Sequence, residues 1–130
     1  MHSSSLTWAY WCVLVAALLP YAAAWVGKAG SFKPRDNLQP REWSSQQSGW
    51  RARAIAAQNN AFEGLPFFIG AVVIAHQLGA AQGVIDMLAA SHVVLRIVYT
   101  VLYIRGFPTA RSAVWTLALL VNIAILFAGR

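Results

Sequence analysis

Four long apolar stretches constrain this chain more than any other feature of its sequence. The first, residues 6–25, is about 20 residues without a charge, roughly the length that an α-helix needs to cross a hydrocarbon core about 30 Å thick. The other three cover roughly residues 54–77, 84–104 and 112–128. The pattern predicts an all-α integral membrane protein, a bundle of four transmembrane helices in a single domain over residues 1–130.

The composition supports the same class of protein. Hydrophobic residues make up 58% of the chain and charged residues 11%, whereas a soluble domain carries roughly 25% charged residues. A soluble chain of 130 residues has too little interior to hide so much apolar surface. Six Trp and four Tyr fit a membrane protein, because amphipathic aromatic side chains collect at the membrane interface. The single Cys12 excludes an intramolecular disulfide and a cysteine-cluster zinc site.

The first apolar stretch has two interpretations. Its end, Ala22-Ala23-Ala24, resembles the cleavage site of a secretory signal peptide. However, residues 1–5 contain no Lys or Arg, and a signal peptide carries positive charge before its apolar core. We therefore favour a helix that is retained in the mature protein.

Basic residues concentrate in and beside two of the three connections between the stretches. The polar connection over residues 27–50 contains prolines and glycines that argue against a long helix there. The basic residues in or beside the first and third connections are Lys28, Lys33, Arg35, Arg41, Arg51, Arg53, Arg105 and Arg111. The positive-inside rule places these two connections in the cytoplasm and both termini on the other side. Attraction to anionic membrane lipid explains the net charge of +6 without any nucleic acid partner.

Two ionisable residues lie inside the apolar stretches. Glu63 belongs to the second helix, because the 12 residues from Gly64 to Ala75 are too few to span a membrane. It follows Arg53 by ten residues, or roughly 15 Å of helix, and Arg96 precedes Arg105 by nine, or roughly 14 Å. Charges inside a membrane are costly and tend to pair. We therefore expect an ion pair between Glu63 and Arg96, and we expect Glu63→Gln to destabilise the protein.

Polar residues recur at helical spacing around this pair. The aligned sets are His92, Arg96, Tyr99 and Tyr103 on the third helix; Arg111, Trp115, Ala118 and Asn122 on the fourth; and Arg53, Asn60 and Phe67 on the second. The pair could equally have a purely structural role, in which it fixes helix register or an oligomer interface, instead of forming part of a functional site. Asn122 is also compatible with a role in joining helices. The single histidines His76 and His92 have no metal-ligand neighbours, so the sequence predicts no metal site.

The residues around Glu63 resemble a family signature. Arg53, Asn60, Glu63 and Pro66 stand in the pattern R-A-x(5)-N-x-x-E-x-x-P. This pattern is similar to the second-helix signature of MAPEG proteins, the membrane-associated proteins in eicosanoid and glutathione metabolism.

Two further segments resemble the same family. The segment RIVYTVLYIRGFPTARS, residues 96–112, looks like its third helix and following loop. The segment DNLQPRE, residues 36–42, resembles the corresponding loop of short bacterial members. The likeness covers about residues 6–128, nearly the whole chain.

The resemblance implies a four-helix protomer, assembled as a homotrimer in a bacterial inner membrane. It implies a glutathione site between protomers, open to the cytosol, and transferase, peroxidase or isomerase chemistry on lipophilic substrates. Carried over by position, it implies a site lined by Arg53, Asn60, Glu63, Arg96, Tyr99, Tyr103 and Arg111. In that site Glu63 would receive a backbone or amino group of glutathione. Arg111 would favour the thiolate of glutathione, and Tyr103 would assist it by a hydrogen bond.

The chain departs from the family pattern in two places. Mammalian glutathione-using members usually carry a further Arg one turn before the Asn, where this chain has Ala56, and the loop after Tyr103 is about one residue shorter than in the prostaglandin-forming branch. Two functions therefore stand: a glutathione-dependent membrane transferase or peroxidase, and a non-catalytic membrane protein such as a lipid- or quinone-binding module or an accessory subunit. A water-accessible, electropositive pocket would favour the first function, and a dry, fully paired cluster would favour the second.

Overall fold

The computed structural model describes residues 5–130, and the regular structure in that part is helical. The predicted domain begins at residue 1, and residues 1–4 lie outside the described part. Four long helices and one short helix follow each other along the chain. They are α1 (Trp8–Lys28), α2 (Pro40–Ser45), α3 (Gly49–Gln77), α4 (Gln82–Arg105) and α5 (Pro108–Phe127), with a 3-10 turn at Pro34–Leu38.

The helix ends follow local sequence signals. The 3-10 turn, α2 and α5 each begin with a proline, whose missing N–H is not needed in the first turn of a helix. After α4 the chain turns at Gly106 with φ +84°, a left-handed conformation that glycine adopts without a steric penalty. Helix α3 begins at Gly49, earlier than the apolar stretch predicted, so its first turns contain Arg51 and Arg53.

Three helices in the described part are long and apolar enough to cross a membrane, judged by length and composition: α1, α4 and α5. Helix α3 is the longest, with 29 residues, but its first half carries Arg51, Arg53, Glu63 and the polar side chains of residues 58–60. These residues lower its mean hydropathy. The structure therefore supports an all-helical membrane protein with three candidate spans, and a fourth span through α3 is not established by hydropathy.

Helices α3 and α4 form the centre of the bundle, and small residues lie where helices meet. Helices α3 and α4 contact each other, and α1 and α5 lie on opposite sides of that pair without touching. A Cβ atom on Gly27 would lie 3.3 Å from the Cβ atom of Ala54, and small residues of this kind let helix backbones approach closely. The buried core residues are Ala9, Ala16, Phe68, Ala71, Val72, Ala75, Ile85, Ala89, Val93 and Ile125.

Large apolar side chains cover the outward faces of the bundle. Leu18, Met87, Val94 and Leu120 are all exposed, and so many exposed apolar side chains suit contact with lipid rather than with water. Trp25, near the end of α1, is 73% exposed, in the position of an aromatic interface residue. The surface therefore agrees with the membrane class that the composition predicts.

The two ends of the bundle differ in charge. The end that we call the cationic end contains Lys28, Arg51, Arg53, Arg105 and Arg111. The opposite end holds a network that we call the His76 cluster, formed by Thr7, Tyr10, His76, Gln82 and Asp86. This cluster joins α1, α3 and α4, and the sequence did not reveal it.

Within the His76 cluster, the hydrogen bonds define which ring nitrogen carries the proton. His76 Nδ1 lies 2.7 Å from the carbonyl oxygen of Val72, which can only accept, so Nδ1 is the donor. Nε2 then accepts from Thr7 Oγ1 at 2.9 Å and from Gln82 Nε2 at 3.3 Å. Asp86 Oδ1 accepts from Gln82 at 2.7 Å and from the backbone N–H of Ala9 at 2.9 Å. The cluster therefore fastens the first turn of α1 to two other helices.

Candidate functional site

Helices α3 and α4 bring two of the predicted site residues into direct contact. The Arg96 guanidinium donates from Nη2 to Oδ1 of Asn60 at 2.6 Å. Its Cζ atom also lies 4.5 Å from the centre of the Tyr99 ring, within the range of a cation–π interaction. Arg96 is only 7% exposed, and these two contacts are what stabilise its charge inside the bundle.

Helices α4 and α5 continue this line of contacts toward the cationic end. The rings of Tyr99 and Tyr103 meet edge to face with their centres 5.7 Å apart. The Cζ atom of Arg111 then lies 4.1 Å from the centre of the Tyr103 ring. A continuous chain of contacts therefore runs from Asn60 through Arg96, Tyr99 and Tyr103 to Arg111.

Two cavities adjoin this chain of contacts. The Arg111 cavity has a volume of about 370 Å³ and is lined by Asn60, Tyr99, Arg111, Ser112, Trp115 and Thr116. The Glu63 cavity has a volume of about 190 Å³ and is lined by Glu63, Gly64, Phe67, His92, Arg96, Trp115, Ala118, Leu119 and Asn122. Trp115 forms part of both walls. The larger cavity falls within the range of roughly 300–1,000 Å³ that is typical of small-molecule sites.

The predicted ion pair between Glu63 and Arg96 is wrong. Both side chains line the Glu63 cavity, but the hydrogen bond of the Arg96 side chain goes to Asn60, and Glu63 is exposed on the protomer. The physical reason is geometric. Asn60 lies one turn before Glu63 on α3 and its amide oxygen reaches the guanidinium. The guanidinium packs beside Gly64, where a Cβ would lie at an ordinary contact distance of 3.8 Å.

Arg53 makes a contact that the sequence did not predict. Its Nε donates to the carbonyl oxygen of Ile104 at 2.9 Å, and its guanidinium packs against Gly106, where a Cβ would meet it at 3.4 Å. It therefore holds the end of α4 and lines neither cavity. Tyr103 also lines neither of the two cavities, and it contacts the site through Arg111.

Several residues of the two cavities were not assigned to a site from the sequence. Ser112 and Thr116 lie one turn apart on α5, each directly after a member of the predicted Arg111 set, so a stripe one residue wider would have included them. His92 stacks on Phe68 with ring centres 4.2 Å apart. The buried atoms His92 Nδ1 and Asn122 Oδ1 have no hydrogen-bond partner in the described part of the chain.

Within residues 5–130, no group of three or more His, Cys, Asp or Glu side chains could hold a metal ion.

These features define an integral membrane protein with a polar site between its helices, next to the positively charged end of the bundle. The chain belongs to the MAPEG family, whose family model matches residues 8–129. A search of curated proteins gave no match, and a search of solved structures gave none. Membership of the family is therefore confirmed.

Proposed function

We propose that this protein is a glutathione-dependent membrane enzyme. It would be either a transferase that joins glutathione to a lipophilic electrophile or a peroxidase that uses two glutathione molecules to reduce a lipophilic hydroperoxide to an alcohol and water. The observation that supports this proposal is the Arg111 cavity, which combines a cation with several hydroxyl and amide groups. Among residues 5–130, the Arg111 side chain makes a ring contact with Tyr103 and no hydrogen bond. Its donors are therefore available to an anionic ligand.

The residues of the two cavities fit the chemistry of glutathione. The tripeptide carries two carboxylates, one amino group and one thiol. Arg111 and Arg96 supply positive charge for the carboxylates and the sulfur, and the unpaired Glu63 supplies negative charge for the amino group. Asn60 and Tyr99 add hydrogen-bonding groups between them. A ligand with charges of both signs therefore suits the pair of cavities better than a simple lipid does.

Arg111 would be the central catalytic residue in this proposal. Bound glutathione would supply a sulfur nucleophile for attack on an electrophile. A free thiol has a pKa of about 8.5, and a neighbouring positive charge lowers that pKa, so Arg111 would increase the thiolate fraction. Tyr103 would orient Arg111 through its ring. It lines neither cavity of the single protomer, and in the assembled site its hydroxyl would donate its hydrogen to the sulfur.

The lipophilic substrate would reach this site from the bilayer. Trp115 is exposed on the protomer and forms part of both cavities, and Leu117 and Leu120 on the same helix are exposed apolar residues. A membrane-dissolved electrophile would therefore meet a water-soluble nucleophile in one place. Holding two reactants together in this way removes part of the entropic barrier to their reaction.

We also propose that the protein forms a homotrimer in a bacterial inner membrane, with the cationic end in the cytoplasm. In a single protomer the Glu63 carboxylate is exposed on a helix that packs among apolar spans. A charge facing lipid is costly, and a neighbouring copy of the chain would cover it. Both cavities are also open at the protomer surface, so a second copy would complete their walls.

A non-catalytic membrane protein is the alternative function. Two observations favour it for part of the site. Arg96 donates a hydrogen bond to Asn60, and Arg53 donates one to the carbonyl oxygen of Ile104. These arginines act as structural connections between helices. The alternative would extend that structural role to the whole polar chain of contacts.

Calorimetric titration of glutathione into the purified protein separates the two functions. We expect binding at millimolar glutathione, and we expect Arg111→Ala to weaken it at least several-fold. Arg105→Ala is the matched control, because Arg105 is a nearby exposed cation that lines neither cavity. Absence of binding to the wild-type protein would make the glutathione proposal untenable. Equal binding by wild type and Arg111→Ala would remove only the role of Arg111.

A further inference from the structure

A separate groove lies at the cationic end, between the last turn of α1, the short helix α2 and the first half of α3. We call it the loop groove. Its volume is about 760 Å³, and its polar wall residues are Lys28, Arg41, Ser44, Ser45, Gln58 and Asn59. Pro40 and Ile55 complete the wall. It shares no lining residue with the Arg111 cavity or the Glu63 cavity.

The chemistry of the wall selects an anion. Five of the six polar side chains have donors that no other described residue uses, while the Ser45 hydroxyl donates to the carbonyl oxygen of Glu42 at 2.7 Å. No Asp or Glu lines the groove. Lys28 contacts the Phe32 ring at 4.6 Å, and neither Lys28 nor Arg41 has a hydrogen bond or a carboxylate partner in the part of the chain that the structure describes. Two unneutralised cations therefore face one space that is rich in donors.

Two other cations of the same region already donate hydrogen bonds to backbone carbonyl oxygens. Arg51 Nη1 donates to the carbonyl oxygens of Gly27 at 3.0 Å and Ala29 at 2.6 Å, which satisfies the C-terminal end of α1. Arg53 donates to Ile104. Unlike these two arginines, Lys28 and Arg41 have neither a carbonyl nor a carboxylate partner among the described residues.

The position of the groove indicates where its ligand comes from. Lys28 is the last residue of α1, a candidate membrane span, and Trp25 lies one turn earlier with its side chain exposed. Exposed Trp residues at the end of a span mark the level of lipid headgroups. Basic pockets at this level on the cytoplasmic side bind anionic headgroups. We propose that the loop groove binds the phosphodiester headgroup of an anionic phospholipid.

The two neighbouring asparagines of α3 face different sites, the loop groove and the Arg111 cavity. Asn59 faces the loop groove, and Asn60 faces Arg96 and the Arg111 cavity, because successive residues of a helix point about 100° apart. A lipid in the loop groove would contact α1, α2 and α3 together. It would therefore hold the connection of residues 29–48 against α3.

The test compares two double variants that remove the same charge. Lys28→Gln with Arg41→Gln removes the cations of the groove, and Lys33→Gln with Arg35→Gln removes two exposed cations of the same loop that do not line it. The ligand is short-chain phosphatidylglycerol, titrated into detergent-solubilised protein and followed by native mass spectrometry. At about 1 kcal/mol for each cation near an anionic lipid, the first double variant should bind about fivefold more weakly for each cation removed. The control pair should change affinity by no more than about twofold in total if the groove, rather than diffuse attraction, holds the lipid.

Several outcomes would overturn the proposal. Equal losses in the two double variants would indicate diffuse attraction, and no phosphatidylglycerol binding by the wild type would remove the site. Glycerol phosphate that displaces the lipid at similar concentration would identify a soluble anion instead, and displacement by glutathione would assign the groove to the thiol site. Thermal unfolding in phosphatidylcholine alone tests whether the first double variant is folded, and Arg41→Gln alone replaces it if it is not.

Discussion

Arg96 of α4 donates a hydrogen bond of 2.6 Å from Nη2 to Oδ1 of Asn60 on α3. This bond joins a buried cation to a neutral amide, although the carboxylate of Glu63 lies one turn further along the same helix. The bundle therefore holds the charge of Arg96 with an amide and an aromatic ring, and it leaves Glu63 unpaired. If Glu63 and Arg96 formed an ion pair, Glu63→Gln would destabilise the protein more than Asn60→Ala. The observed hydrogen bond predicts the opposite order.

Asn60→Ala should destabilise the protein more than Glu63→Gln does. Removing Asn60 leaves a buried charged donor without its acceptor, which costs about 1–3 kcal/mol. In the single protomer Glu63 is exposed and forms no ion pair within residues 5–130, so its substitution should cost the protomer less than about 1 kcal/mol. Unfolding in detergent with increasing denaturant measures both changes.

The neighbouring Asn59 provides the control for this comparison. It is exposed and does not contact Arg96, so Asn59→Ala in detergent without anionic lipid should unfold like the wild type. A larger loss of stability in Glu63→Gln than in Asn60→Ala would restore the ion pair and contradict the hydrogen bond described above.

His76→Ala should loosen the end of the bundle opposite the cationic end. The substitution removes the hydrogen bonds of both ring nitrogens, and at a net value of about 1 kcal/mol for each bond it should cost roughly 2 kcal/mol or more. Amide hydrogen exchange at Ala9 and Tyr10, which bond to Asp86 and Thr7, should become faster. Gln77→Ala, at an exposed neighbour, should leave both rates unchanged, and unchanged rates in His76→Ala would contradict the role of the cluster.

Helical periodicity was enough to predict much of the polar site. A rise of about 1.5 Å per residue places Arg96 and the Asn60–Glu63 turn at similar depth, and the structure does bring that turn next to Arg96. The choice between Asn60 and Glu63 depends on the relative rotation of α3 and α4. That rotation comes from side-chain packing between the helices, and the spacing of polar residues within one helix does not determine it.

The His76 cluster shows a different limit of sequence interpretation. Thr7 and His76 are 69 positions apart, and Ala9 and Asp86 are 77 apart. Their contacts form where helix ends meet, so no periodic pattern within one segment links them. His76 could be interpreted from the sequence only as a single histidine. The cationic end had stronger signals, because the charge of its arginines and the spacing of Tyr99 and Tyr103 are both visible in the chain.

Tyr103 provides two separable groups to the proposed glutathione site. Its ring lies 4.1 Å from Cζ of Arg111, and its hydroxyl is the proposed donor to the sulfur. Tyr103→Phe should keep the affinity for glutathione and lower the thiolate fraction of the bound tripeptide, measured by ultraviolet absorbance. Tyr103→Leu should also lose a cation–π interaction worth about 0.5–2 kcal/mol and bind glutathione several-fold more weakly. Equal affinities in the Phe and Leu variants would show that the ring does not orient Arg111.

The proposed orientation can be tested with cysteine labelling, because Cys12 is the only cysteine in the chain. In a Cys12→Ser background, Leu38→Cys places a thiol on the exposed part of the loop at the cationic end, and Ala81→Cys places one between α3 and α4. The positive-inside rule puts the loop in the cytoplasm. A membrane-impermeant maleimide applied to intact cells should therefore label Ala81→Cys and leave Leu38→Cys unlabelled until the membrane is permeabilised. Labelling of Leu38→Cys in intact cells, with Ala81→Cys protected, would reverse the orientation and place the Arg111 cavity on the side of the membrane away from cytosolic glutathione.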